Sequence, residues 1–66
     1  MDLEPLLYRI CGEFLEMPGL RLTVAQAMRL WGLEREQCER ALDVLIGRSF
    51  LRQTTGGVIV RAGAEV

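Results

Sequence analysis

The sequence predicts a mainly α fold with a small β-hairpin, in one domain over residues 1–62 followed by a short tail at 63–66. Three observations carry that prediction. Apolar residues recur three and four apart in three separate stretches, which is the period of an amphipathic helix. Pro, Gly and Thr fall between those stretches, where caps and turns need them. Two short runs, Phe50-Leu51-Arg52-Gln53 and Val58-Ile59-Val60-Arg61, flank Thr54-Thr55-Gly56-Gly57, a turn whose glycines supply positive φ. The predicted order is helix, helix, turn, helix, two-stranded hairpin.

The first helix is set by Leu3, Leu7, Ile10, Phe14 and Met17, a 4-3-4-3 stripe that Leu6, Cys11 and Leu15 widen. Asp2 is placed to cap its start. Pro5 sits in the first turn, where its missing N–H costs little, and Pro18-Gly19 ends the helix. Leu20-Arg21-Leu22 is a short extended connection. Thr23-Val24-Ala25-Gln26 then fits a capping box, with Thr23 accepting from the third amide and Gln26 reaching back. Val24, Ala27, Met28 and Trp31 line one face of the helix that follows, and Gly32 stands where a left-handed residue closes it. The third helix runs from about Glu34 to Arg48, with Cys38, Ala41, Leu42 and Leu45 inward and Ile46 at the margin. The expected core is Leu7, Ile10, Phe14, Ala27, Met28, Leu42 and Leu45.

Composition narrows the function. A chain this short buries roughly 60% of its unfolded surface, so its stability is modest. The start Met1-Asp2-Leu3-Glu4 lacks the basic-then-apolar order of a signal peptide. No apolar run approaches the roughly 18 residues that span a bilayer, so the expectation is a cytoplasmic protein with no membrane partner. Two cysteines on inward stripes read as reduced core residues rather than as a disulfide framework. With no histidine there is no zinc site, and neither cysteine has a partner base. No cofactor, metal site or catalytic residue is expected, and the chain is not read as an enzyme. All eight basic residues are arginine. Residues 1–20 carry four acids against Arg9, a net of −3, whereas residues 21–62 carry seven arginines against Glu34, Glu36, Glu39 and Asp43, a net of +3.

The stretch from Leu22 to Arg61 resembles the winged helix-turn-helix family of bacterial transcription regulators. The residues that carry the resemblance are Leu22-Thr23, Ala27, the turn Gly32-Leu33, the inward set Ala41-Leu42 and Leu45, Phe50-Leu51-Arg52, the Gly56-Gly57 turn and Val58-Ile59-Val60-Arg61. They cover about 40 of the 66 residues, and the first helix matches the family's leading core helix. The resemblance implies a three-helix winged helix-turn-helix that binds DNA in transcriptional control. In that family the second helix of the pair lies in the major groove and the hairpin, or wing, meets the phosphate backbone. The implied DNA-binding residues are Arg35, Glu36, Gln37 and Arg40 on the third helix and Arg52, Thr54, Thr55 and Arg61 on the wing. Two positions depart from the family pattern: Glu34 replaces a Ser, Thr or Asp cap, and Ser49 replaces a glycine.

A third departure bears on function. The groove-facing helix carries Glu34, Glu36, Glu39 and Asp43, which repel a polyanion. Glu36 to Arg40 and Arg35 to Glu39 are acid–base pairs four apart, so the face is also readable as self-neutralising and solvated. The alternative function is a protein interaction or dimerisation module that meets a basic protein partner. Leu6, Tyr8 and Leu15, with Ile59 placed on the outer side of the hairpin, are more apolar surface than a monomer needs, which predicts a homodimer.

Overall fold

A computed structural model describes residues 2–63. Three helices, α1 (Glu4–Glu16), α2 (Val24–Trp31) and α3 (Arg35–Gly47), pack with a small antiparallel sheet of β1 (Leu22–Thr23), β2 (Leu51–Gln53) and β3 (Val58–Arg61). The expected two-stranded hairpin is therefore the larger part of a three-stranded sheet. The end of the extended connection pairs with the hairpin, Leu22 against Ile59 and Thr23 against Val58, so that β3 lies between β1 and β2. The local sequence gave no sign of that pairing, because the partner strand lies over thirty residues away.

The helix boundaries follow from side-chain and backbone caps. At α1 the N-cap position is Leu3, with no side-chain cap bond, rather than Asp2; Asp2 Oδ1 still accepts from the Glu4 N–H at 3.0 Å, and Pro5 occupies the first turn. At α2 both halves of the capping box form: the Gln26 N–H donates to Thr23 Oγ1 at 3.1 Å and the Thr23 N–H to Gln26 Oε1 at 2.9 Å. Gly32 closes α2 at φ 64°, with the Leu33 N–H donating to the Met28 carbonyl. The end of α3 uses the same device without glycine. Ser49 takes φ 63°, its N–H donates to Ile46 O, and the Phe50 N–H reaches back to Leu45 O. That is a Schellman motif, which favours glycine at its left-handed position. Ser49→Gly is expected to stabilise the protein by about 0.5–1 kcal/mol, because relief of the Cβ strain exceeds the added freedom of the unfolded chain. Urea denaturation measures it, and an unchanged or lower midpoint would contradict the strain.

One continuous core joins Leu7, Ile10 and Phe14 of α1, Ala27 and Trp31 of α2, Cys38, Ala41, Leu42 and Leu45 of α3, and Leu22, Leu51 and Ile59 of the sheet. Phe14 meets Trp31 with ring centroids 6.5 Å apart and planes tilted by 58°. Four expectations need correction. Met17 is half exposed, because α1 stops at Glu16 and Met17 leaves the helical path at φ −127°, ψ 81°. Met28 only lies against the edge of the core. Leu15 does not widen the inward stripe: it is 57% exposed, about 100° round the helix from Phe14, which agrees with its reading as apolar surface. Ile59 is 1% exposed rather than outward. Register explains the last of these: Leu51 pairs with Arg61 and Gln53 with Ile59, which puts Ile59 on the same sheet face as the core residue Leu51.

Candidate interaction surface

The inward stripe of α3 fixes what its other side presents. With Cys38, Ala41, Leu42 and Leu45 buried, Arg35, Glu36, Glu39, Arg40 and Asp43 all lie exposed on the outward face. Two arginines against three carboxylates give that face a net charge of −1, and Glu34 at the helix start makes it −2. Both arginines are engaged. Arg35 Nη1 donates to Glu39 Oε2 at 3.2 Å, and Arg40 Nη2 donates to Glu36 Oε1 at 3.2 Å. Glu34, the N-cap of α3, makes no side-chain cap bond and is exposed. Gln37 is half-buried and lines a hollow with Leu3, Glu34, Glu36 and Arg40.

The hairpin residues divide by how much the fold already uses them. Arg52 on β2 and Thr55 at the turn are exposed. Thr54 is spent within the turn: its Oγ1 accepts from the Val58 N–H at 3.2 Å, and its carbonyl accepts from the Gly57 N–H. The Arg61 guanidinium carbon lies 4.7 Å from the centre of the Phe50 ring, and its Nε is buried without a hydrogen-bond partner. Arg61 is thus half-buried packing as much as a surface cation. Arg48 at the end of α3 pairs with Glu4 of α1 at 3.6 Å, which turns it toward the first helix.

Between α3 and the sheet runs a cleft lined by Val24, Leu42, Ile46, Ile59, Gln53, Glu39 and Asp43. The surface it offers is mostly polar: Glu39, Asp43 and Gln53 are exposed, Val24 and Ile46 are half-buried, and Leu42 and Ile59 are almost wholly buried. Of the eight residues that the resemblance implied, Arg35, Glu36 and Arg40 share the outward face of α3, while none lines this cleft. The sequence marks Val24 and Ile46 as helix-face residues and Gln53 as part of a strand, but none of them as a site residue. No local signal brings them together, because the cleft exists only once β3 has docked beside α3. A second, more open hollow is lined by Arg21, Leu22, Gln26, Arg29 and Leu30. Its surface is mostly apolar with two arginines beside it, and it is formed by α2, β1 and Arg21 just before β1.

Both cysteines are free. Cys38 is fully buried. Burial pushes its thiol pKa up, neighbouring Glu39 adds to the rise, and Arg35 opposes it. Cys11 is only half-buried; burial raises it as well, against Arg48 and Arg61. The thiolate is the reactive form, so both react slowly at neutral pH and faster as pH rises. We expect a thiol reagent to modify Cys11 before Cys38, with Cys38 reacting only on unfolding. Equal rates in the native protein would contradict the burial of Cys38.

The chain is thus a small, mainly helical domain with a three-stranded antiparallel sheet and a cleft that carries two exposed carboxylates. No family model, curated protein or solved structure matches the chain. Among the described residues no helix is long and apolar enough to cross a membrane, and no group of three or more His, Cys, Asp or Glu is placed to hold a metal ion.

Proposed function

We propose that the chain is a winged helix-turn-helix domain that works as a protein-docking module, taking a basic amphipathic segment into the cleft between α3 and the sheet. The observation that carries this reading is the pair of exposed carboxylates, Glu39 and Asp43, in a cleft whose apolar edge is limited to the half-buried Val24 and Ile46. An Arg or Lys side chain gains at these carboxylates, and an apolar neighbour adds a smaller contact with Val24 and Ile46. A phosphate brought to the same place loses. Two like charges about 4 Å apart repel by about 1 kcal/mol in water and by several times that near a protein surface. The two arginines of the face are already engaged by Glu36 and Glu39.

A DNA-binding transcriptional regulator is the second reading. It is favoured by the α2–turn–α3 arrangement, with the start of α3 exposed, and by the hollow with Arg21 and Arg29 beside it. Arg35, Glu36, Gln37 and Arg40 are the base-facing set on that reading, and Arg52, Thr54, Thr55 and Arg61 the backbone clamp. Titration at low salt separates the two. The probes are a labelled synthetic helical peptide with one arginine–leucine face and a generic DNA duplex. The docking reading expects saturable peptide binding that weakens with salt and tighter binding of peptide than of duplex. Tighter binding of the duplex would overturn it in favour of the second reading.

A further inference from the structure

The outward face of α1 is unpartnered and has an unusual composition. Tyr8 is 76% exposed and Leu15 57% exposed, on a flank of the helix turned about 100° from the neighbouring core residues Leu7 and Phe14. Between them lies Gly12, with open space where a Cβ would project. Residues three, four and seven apart on a helix share one face, so Tyr8, Gly12 and Leu15 form a single stripe. Arg9 and Glu16 flank the stripe, again seven residues apart, and both are exposed. Neither has an ion-pair partner among the described residues.

We infer that α1 pairs with α1 of a second copy of this chain, antiparallel, about a twofold axis at Gly12. The pattern is complementary to itself under that operation, as an isologous contact requires. At 1.5 Å rise per residue, Tyr8 lies about 6 Å before Gly12 and Leu15 about 4.5 Å after it. Reversal of the helix therefore brings Tyr8 of one copy beside Leu15 of the other. The same operation brings Arg9 opposite Glu16 of the second copy, and the symmetry makes that ion pair twice. Glycine at the crossing point lets the two backbones approach closely, so that Tyr8 and Leu15 meet across the axis. A parallel arrangement would set Arg9 against Arg9 and Glu16 against Glu16. One helix face is a small interface, so the dimer is transient rather than permanent.

Sedimentation from micromolar to millimolar concentration at low salt tests the contact. The expected result is a rise from 7.4 kDa toward twice that mass, reversed by salt. Tyr8→Glu and Arg9→Glu change exposed positions and leave the core alone, and each is expected to weaken association about fivefold or more. The double exchange Arg9→Glu with Glu16→Arg restores the opposed charges and is expected to recover most of it. A mass that stays at 7.4 kDa at millimolar concentration would overturn the inference. So would association that ignores both single variants, or a double exchange no better than Arg9→Glu alone.

Discussion

Phe14→Ala is expected to remove from about a third to all of the folding stability at 25 °C. Phe14 is completely buried and joins α1 to α2 through its contact with Trp31. Removing a buried aromatic ring costs about 3–5 kcal/mol, the sum of lost transfer energy and the cavity left behind. Typical stabilities per residue give a domain of this length roughly 3–10 kcal/mol in all. The substitution thus removes a large share, or all, of the available stability. Far-ultraviolet circular dichroism with urea reads the result. A variant that unfolds at the parent's midpoint would place Phe14 outside the core and shift the face of α1.

Leu42→Ala is expected to cost about 2–5 kcal/mol, for the same two reasons. Leu42 is 2% exposed, on the inward stripe of α3, and its edge also lines the cleft beside Ile59. It therefore links stability with the proposed docking surface. Leu42→Met keeps nearly the same volume and should cost less than about 1.5 kcal/mol. A large loss for Ala with a small loss for Met is the signature of packing. Equal, small effects would mean that α3 is rotated from the face described.

Much of the helical framework was legible because its signals are local. The Thr23–Gln26 capping box, the left-handed Gly32 and the Cys38, Ala41, Leu42, Leu45 stripe each involve residues a few positions apart, and each forms as expected. Even the departure at Ser49 was visible as a position wanting glycine, and the residue does take a left-handed conformation. The sheet was only half legible. Hairpin partners are near in sequence, but β1 finds β3 across α2 and α3. Ile59 was misplaced for a related reason. A run such as Val58-Ile59-Val60 has no polar residue to mark its outer side, so only the pairing of Gln53 with Ile59 fixes which way it faces. The acidic character of α3 was plain in the sequence. Its union with Val24, Ile46 and Ile59 in one cleft was not, since that depends on how three elements dock.

The sign of the response to charge removal at the cleft tests the docking account most directly. Glu39→Gln with Asp43→Asn removes two carboxylates from exposed positions of α3 and leaves its inward stripe intact. The measurement is the affinity of this variant and of the parent, at low salt, for the arginine–leucine peptide and for a DNA duplex. Each exposed charge pair is worth about 0.2–1 kcal/mol, so the peptide should bind roughly twofold to thirtyfold more weakly to the variant. Non-specific duplex binding should rise, because two charges that repel phosphate are gone. Undiminished peptide affinity, or duplex affinity that falls with the carboxylates, would contradict the claim that this face receives a cationic protein segment.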